Sequence, residues 1–299
     1  MSPVPVSPKI ERITKITKPN NDSREYRGLV LANQLRVVLV SDPSTDKSAG
    51  SLSVSVGSMA DPPEMQGMAH FLEHALFLTT KKYPEENFFK NFIVQHGGRT
   101  NAFTSLNETN YFFDVGPEAL PGALDRFVAE SADDLLLLFS TAFFSCRFAQ
   151  FFIEPLFPRD LIERELQSIQ FEFENTITSD SHRFYRLRKL FGDPKHPFAK
   201  FETGNRQTLI ICDELFKEMI RFYEKWYSAN IMTFSVIGKE SLDQLESVVI
   251  PLFGQIVNRN VQPLWFDKHP YTAEYCRRVT KAIPFVETRK VNCKMLFRL

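Results

Sequence analysis

GMAHFLEHALFL, residues 67–78, places two of the chain's six histidines and one glutamate within an otherwise apolar run. His70, Glu73 and His74 occupy positions i, i+3 and i+4, which share one face of an α-helix. The remaining residues are apolar nearly all round, which predicts a buried helix. Because a buried polar cluster is costly unless a partner satisfies it, we expect something to meet these three side chains.

Zinc is the partner that this arrangement predicts. Neutral imidazoles are preferred zinc ligands, and a neighbouring glutamate can act as a base toward water at the metal. The order H-x-x-E-H is also the inverse of the H-E-x-x-H motif of zinc proteases. The alternative is two surface histidines beside a solvated glutamate, which the apolar surroundings argue against.

A catalytic zinc takes a third protein ligand, which another element must supply. The segment RDLIERELQSIQFEFENTI, residues 159–177, predicts a helix with two carboxylates within an apolar stripe. The stripe consists of Ile162, Glu165, Ile169 and Glu172. An ion held by His70 and His74 would meet a carboxylate buried there. Spacing alone leaves the ligand open, and a solvated acidic helix is the alternative. The candidates are Glu163, Glu165, Glu172 and Glu174.

Composition limits the partners that the chain can take. The chain has 299 residues, of which 43% are hydrophobic and 24% charged, as in ordinary globular proteins of about two domains. Basic and acidic residues both total 36, so we expect neither nucleic acid nor a membrane as partner. Residues 1–25 lack an apolar signal segment and predict a flexible lead-in, with mitochondrial targeting the less favoured alternative. Cysteines without a C-x-x-C pair predict reduced thiols in a cytoplasmic protein: Cys146, Cys212, Cys276 and Cys293.

The order of local patterns predicts an α+β fold, with helices covering a mixed or antiparallel sheet. Residues 28–43 and 50–63 are β-branched runs bounded by turn residues, and predict two strands before the histidine-bearing helix. Residues 87–98 predict a helix closed by glycine, and 99–116 predict two strands around a Leu-Asn-Glu turn. Later elements are predicted as a helix from Pro158, a turn at 192–198, a helix within 213–227, a strand at 231–238 and a helix from Ser241.

Whole segments also resemble the insulysin branch of the inverzincin metallopeptidases. They include HFLEHALFL, HGGRTNAFTS, ETNYFFDVG, ERELQSIQFEFEN and PKHPFAKFETGN. The resemblance implies a zinc peptidase domain at residues 26–284, with His70, His74 and Glu172 as the zinc ligands. It also implies Glu73 as the catalytic general base, and Glu165 as a further catalytic-site carboxylate that orients the ligands.

The resemblance further implies a reaction, with Zn²⁺ as cofactor. We expect hydrolysis of peptide bonds in small peptides and polypeptides. Asn101, Ala102 and Phe103 begin a strand that resembles an edge onto which substrate adds, and an ordinary inner strand is the alternative. The expected partners are peptide substrates, together with a complementary peptidase half or a second copy. Other compatible functions are a non-catalytic peptide- or subunit-binding module, and a role like that of mitochondrial processing peptidase or nardilysin.

Two departures separate this chain from the family pattern. Residues 127–147 interrupt a continuous family segment, and deleting them restores DRFAQFF. We hypothesise a retained intron, with a family-specific loop as the alternative. The apolar run at 135–139 is too short for a membrane span, which needs about 20 residues. Residues 285–299 form a divergent tail, and because insulysins are built from four related domains, the resemblance implies a truncated chain.

Overall fold

The computed structural model describes residues 10–124, 147–266, 268–271 and 281–285, and a seven-stranded sheet forms its centre. Nine strands lie in these residues: β1 (Glu11–Ile13), β2 (Glu25–Val30), β3 (Arg36–Ser41), β4 (Ser48–Val54), β5 (Thr79–Thr80), β6 (Arg99–Thr104), β7 (Thr109–Val115), β8 (Pro155–Leu156) and β9 (Met232–Gly238). Strands β5 and β8 pair separately as a short antiparallel ribbon.

The large sheet has the strand order β1, β2, β3, β9, β4, β7, β6. Neighbouring strands are antiparallel, except that β3 and β9 run parallel. The sheet is therefore mixed, and the predicted α+β class is confirmed. This order leaves β1 at one edge of the described sheet and β6 at the other.

Helices cover this sheet. The described residues contain eight α-helices: α1 (Met68–Leu76), α2 (Phe88–Gln95), α3 (Leu120–Leu124), α4 (Arg147–Ile153), α5 (Arg159–Ile177), α6 (Asp180–Leu190), α7 (Asp213–Trp226) and α8 (Leu242–Phe253). Helices α1 and α2 contact β6 and β7, whereas α8 contacts β2 and β3. Alternate residues of β4 and β9 are buried, because successive side chains of a strand point to opposite faces.

An aromatic cluster joins the helices to the sheet. The Phe89 ring of α2 lies 5.6 Å from Phe113 of β7 and 5.5 Å from Phe151 of α4, both edge-on. Phe148 of α4 completes the cluster, 5.0 Å from Phe113. Such aromatic pairs are worth about 0.5–1.5 kcal/mol each beyond the area that they bury. The cluster therefore fixes α2 and α4 against the β7 end of the sheet.

The prediction of two strands before α1 is wrong, because the structure places four there. The β-branched run at 28–43 reverses direction at Asn33 and Gln34 and divides into β2 and β3. Gln34 has a φ of 68°, and the Asn33 side-chain amide donates to the Phe253 carbonyl at 2.9 Å. The turn therefore depends on a contact with the end of α8. Strand β1 is also present, within the stretch predicted as a lead-in.

The other predicted helices and strands are confirmed, whereas the local patterns miss α3, α4, α6 and the β5–β8 ribbon. Residues 127–146 of the predicted insertion and 286–299 of the predicted tail lie outside the described residues. Within the described part of the chain, no helix is long and apolar enough to cross a membrane. Cys212 is exposed and is a free thiol, and the other three cysteines lie outside the described residues.

Candidate metal centre

The N-terminus of helix α1 is buried and capped. Gly67 precedes the helix with a φ of 96°, a left-handed conformation that glycine adopts without strain. The Asp61 carboxylate accepts hydrogen bonds from the backbone N–H groups of Gly67 and Ala69, at 2.7 and 2.8 Å. Burial raises the pKa of Asp61 to about 7, although these two hydrogen bonds act in the opposite direction. The start of the helix is therefore fixed one turn before its histidines.

The two histidines of α1 are oriented by acceptors from distant parts of the chain. His70 donates from Nδ1 to the Thr203 carbonyl at 2.7 Å, and His74 donates from Nδ1 to a Glu165 carboxylate oxygen at 3.0 Å. Because both partners are acceptors, each Nδ1 carries the proton and each Nε2 keeps its lone pair in the neutral imidazole. The two Nε2 atoms lie 3.3 Å apart.

Glu172 of helix α5 completes the cluster. One oxygen of its carboxylate lies 3.3 Å from His70 Nε2, and the other lies 3.6 Å from His74 Nε2. The Glu172 side chain is 51% exposed, so the cluster opens to solvent on this side. The predicted ligand set of His70, His74 and Glu172 is therefore brought together in space.

The other three glutamates that the spacing left open have different partners. Glu163 forms an ion pair with Arg159 at the surface, and Glu174 accepts a hydrogen bond from Gln170. Glu165 contacts the far nitrogen of His74 and so does not face the shared space. All four glutamates lie on the same helix, so the packing of α5 against α1 determines which of them faces the two Nε2 atoms.

The donor set fits a zinc ion. Two imidazole nitrogens and a carboxylate oxygen form the set found in many catalytic zinc sites, and such sites keep a further position open. Tetrahedral bonds of about 2.0–2.1 Å place neighbouring ligand atoms about 3.4 Å apart. The two Nε2 atoms are 3.3 Å apart, and the Glu172 carboxylate approaches them with different oxygens, at 3.3 and 3.6 Å. One ligand atom from each of the three residues lies within 4.8 Å of the others, somewhat wider than this spacing. His70, His74 and Glu172 could therefore hold zinc without large rearrangement.

The electrostatics of the cluster favour a cation. Burial alone would lower the pKa of His74, but hydrogen bonds to Glu165 and Glu172 outweigh it and raise this pKa to about 10. Hydrogen bonds from His70 and His74 hold the pKa of Glu172 well below its ordinary value. The raised pKa of His74 and the lowered pKa of Glu172 both show that a positive charge between these side chains is favourable. A proton or a metal ion can supply that charge.

Glu73 lies on the same turn of α1 and is 7% exposed. Its carboxylate accepts a hydrogen bond from the Thr104 hydroxyl at the end of β6. Burial raises the pKa of Glu73, and the nearby charge of His70 opposes this shift in part. A buried carboxylate beside candidate metal ligands is the placement that a general base requires.

Strand β6 carries the predicted substrate-binding residues. Asn101 is exposed, Ala102 is half-buried and Phe103 is 48% exposed. In the described sheet, β6 pairs with β7 on one side only, so its other side is an edge. His96 directly follows α2, and its Nδ1 donates to the Phe92 carbonyl at 2.8 Å.

Sequence reasoning missed three groups that contact the site: Asp61, Thr104 and Thr203. Thr104 directly follows the predicted substrate-binding residues, and its position in an alternating strand is a usable signal. Asp61 precedes the helix by several residues, which is compatible with capping but not specific for it. The Thr203 contact is made by a backbone carbonyl, and a backbone group has no sequence signal.

Comparison with known proteins places this geometry in a family. Residues 36–137 match the insulinase family model (peptidase family M16), and residues 216–296 match the model of the M16 inactive domain. The insulin-degrading enzyme of Homo sapiens is 43% identical over 291 residues, which cover 95% of this chain. The chain belongs to the insulinase family. His70 and His74 lie in the segment that the peptidase model matches, and Glu172 lies beyond it on helix α5.

Further insulinase relatives agree. The peroxisomal insulin-degrading enzyme-like 1 of Arabidopsis thaliana is 43% identical over 93% of the chain, and the A-factor-processing enzyme of Saccharomyces cerevisiae is 34% identical over 92%. The crystal structure of pitrilysin superposes with a TM-score of 0.79 at 31% identity, over 89% of this chain and 26% of that one. The chain spans about a quarter of the length of these relatives: 26% of the human enzyme, 27% of the Arabidopsis protein and 25% of the yeast protein.

Proposed function

We propose that this chain carries the catalytic site of a zinc-dependent endopeptidase of the insulysin type, acting on small peptides and polypeptides. One observation carries the proposal: His70, His74 and Glu172 converge on one space, with Glu73 buried beside them. A purely structural zinc site has no use for a buried carboxylate next to its ligands. The names of the relatives support peptide hydrolysis as the reaction of the family.

The residues of the chain have separate tasks in this mechanism. When bound, zinc would act as a Lewis acid that polarises the carbonyl of the scissile peptide bond and lowers the pKa of water. His70, His74 and Glu172 would hold the metal, and Glu165 would keep the His74 imidazole in the required tautomer. The Glu73 carboxylate would take a proton from the attacking water and return it to the nitrogen of the leaving amine.

The free edge of β6 supports a mode of substrate binding. A peptide that adds to this edge would form backbone hydrogen bonds along Asn101, Ala102 and Phe103. Thr104 follows on the same strand and donates to Glu73, so this edge ends beside the proposed base. Backbone hydrogen bonds depend little on the side chains of the substrate, and we therefore propose that the enzyme tolerates many substrate sequences.

Zinc analysis and peptide cleavage test this proposal together. We expect the purified chain to bind zinc and to hydrolyse a short quenched fluorescent peptide, and the Glu73→Gln variant to bind zinc without hydrolysis. Equal hydrolysis by both proteins would contradict the mechanism. Zinc binding without hydrolysis in either would favour the alternative of a peptide- or subunit-binding module.

We also propose that a complementary peptidase half, or a second copy of the chain, completes the enzyme. The chain spans only about a quarter of its relatives, and one missing donor to the transition state can cost about 10²–10³ in rate. Adding the remaining three quarters of the human relative as a separate polypeptide should raise peptide hydrolysis, and an unchanged rate would oppose this partner. The cytoplasmic location stays a prediction, because one Arabidopsis relative is named as peroxisomal.

A further inference from the structure

We infer that residues 200–204 form a positioning loop for His70, and that a backbone contact between Gly204 and Gly67 sets its distance from helix α1. The inference rests on the proposed zinc site and adds to it a determinant outside the ligand set. We call residues 200–204 the positioning loop.

The loop determines which nitrogen of His70 is free. The Thr203 carbonyl accepts from His70 Nδ1 at 2.7 Å, across a sequence separation of 133 residues. A carbonyl can only accept, so this bond requires a proton on Nδ1 and leaves Nε2 available for a metal. If the carbonyl moved away, the ring could rotate or take the other tautomer, and the ligand would be lost.

Two glycines set the separation between the loop and α1. Both have left-handed backbones, with a φ of 96° at Gly67 and 74° at Gly204. A Cβ atom on Gly67 would lie 2.3 Å from the Gly204 Cα. One on Gly204 would lie 3.2 Å from the Gly67 Cα and 2.8 Å from the end of the Leu209 side chain. Real Cβ atoms essentially never show a contact of 2.3 Å, and a contact of 3.2 Å is tighter than nine in ten, so the neighbouring backbone must shift by a few tenths of an ångström. Side chains at these positions would therefore push the Thr203 carbonyl away from His70.

Side-chain hydrogen bonds fasten the loop to the start of α1. Lys200 donates from Nζ to the Met59 carbonyl at 2.7 Å and to the Asp61 carbonyl at 2.5 Å. The Gln66 side-chain oxygen accepts from the Phe201 backbone N–H at 2.6 Å. Asp61 also caps the helix, so the same residue fixes both the loop and the helix start.

The opposite side of the loop is fastened to helices α5 and α6. Glu202 accepts from Lys189 Nζ at 3.0 Å and from the Tyr185 hydroxyl at 3.2 Å, and Lys189 is only 1% exposed. The Phe201 ring lies edge-on to Phe173, 5.5 Å away, and Phe173 is the neighbour of the ligand Glu172 in the sequence. The loop therefore connects the helix that carries the histidines with the helix that carries the third ligand.

Gly204→Ala tests the loop, and Gly97→Ala is its matched control. Gly97 has a φ of 69°, close to the 74° of Gly204, but nothing lies within 4 Å of the position of its Cβ. Both variants therefore carry a similar left-handed strain of about 1–2 kcal/mol. Only Gly204→Ala places its Cβ against the Gly67 backbone and the end of the Leu209 side chain.

Zinc affinity, from competition with a chromophoric chelator, is the first readout. The second is the exchange rate of the His70 Nδ1 proton in the zinc-loaded protein, measured by NMR. We expect Gly204→Ala to bind zinc about 10–100-fold more weakly and to lose protection of this proton. We expect Gly97→Ala to stay within about twofold of the unmodified chain in both measurements.

Equal values for Gly204→Ala and Gly97→Ala would overturn the inference and leave the proposed function intact. An unmodified chain that binds no zinc would overturn the proposed function, and this inference with it. If Gly204→Ala shows no cooperative thermal transition, Gln66→Ala is the second test. It removes the acceptor for the Phe201 N–H and, apart from that bond, only the exposed donor to the Pro63 carbonyl. We expect about a tenfold loss of zinc affinity in Gln66→Ala, and an unchanged affinity would overturn the inference.

Discussion

Two polar clusters in this molecule are satisfied in different ways. The arginine–glutamate cluster consists of Arg12, Arg27, Asp243 and Glu246, and joins β1 and β2 to α8. Within this cluster, the Glu246 carboxylate forms ion pairs with the Arg12 and Arg27 guanidinium groups, at 2.5 and 2.6 Å. The histidine–glutamate cluster consists of His70, His74, Glu165 and Glu172, and joins α1 to α5. Its two Nε2 atoms and the Glu172 carboxylate face one another with no cation between them from the described chain.

The difference separates a structural cluster from a functional one. The arginines and carboxylates of the arginine–glutamate cluster form ion pairs within the chain. This cluster therefore stabilises the packing of β1 and β2 on α8. Acceptors in the histidine–glutamate cluster repel one another unless a proton or metal ion joins them. Polarity alone does not distinguish the two clusters. The distinguishing feature is whether the chain supplies both signs of charge.

The largest expected effect is on catalysis. Replacing Glu73 by Gln removes the proposed base and keeps the shape of the side chain. Peptide hydrolysis should fall by about 10²–10⁴-fold while zinc content stays the same, because the base contributes to the transition state and not to metal binding. Steady-state cleavage of a quenched peptide and metal analysis measure the two quantities. Loss of zinc together with activity would instead assign Glu73 to metal binding.

The next effect is on metal binding. Glu172→Gln should weaken zinc binding by at least about 100-fold, since a ligand matters more than the outer groups whose loss costs 10–100-fold. Zinc at about 100 times the dissociation constant of the unmodified chain should stabilise that chain by about 2.7 kcal/mol. Thermal melting with and without zinc should show almost no such gain in Glu172→Gln. Glu174→Gln is the control, and equal gains in both variants would remove Glu172 from the site.

A smaller effect is expected at the arginine–glutamate cluster, and it depends on pH. Burial raises the pKa of Glu246, but hydrogen bonds from Arg12 and Arg27 outweigh burial and lower this pKa overall. The stabilisation is therefore complete above the ordinary glutamate pKa of 4.5 and is lost as the pH falls below it. We expect Glu246→Gln to lower the free energy of unfolding by about 1–3 kcal/mol at pH 7, and by progressively less in acid.

Urea unfolding at several pH values measures this difference. Asp243→Asn is the matched control, because Asp243 pairs with the same Arg27 but its side chain is 87% exposed. Its loss should cost less than about 1 kcal/mol. Zinc binding should be unchanged in both variants. A change in zinc affinity in Glu246→Gln would show that the two clusters are coupled, and would contradict a purely structural role for the arginine–glutamate cluster.

The smallest effect concerns the free edge of β6. N-methylation of substrate amides should lower kcat/KM in alternate positions only, because successive N–H groups of an extended peptide point to opposite sides. Each methyl group on the side facing β6 should cost about 0.5–1.5 kcal/mol, or about 2–10-fold. Competitive cleavage of a methyl-scanned peptide series measures this pattern. Uniform loss at every position, or none, would contradict strand addition.

Local sequence patterns predicted most of the elements and much of the chemistry. Periodicity within one helix shows that His70, Glu73 and His74 share a face, and the same reasoning marks the stripe that contains Glu165 and Glu172. Alternation and turn residues predict β6, β7 and the α+β class. These inferences succeed because they depend on neighbours within a few residues, where helix and strand geometry is fixed.

Contacts between residues far apart in the sequence depend on the tertiary fold. Glu165 reaches His74 across 91 residues, and the Thr203 carbonyl reaches His70 across 133. The choice of Glu172 among four glutamates, and the division of residues 28–43 into two strands, likewise depend on packing between separate elements. Local periodicity cannot supply these contacts, because the distance between two elements depends on every side chain packed between them.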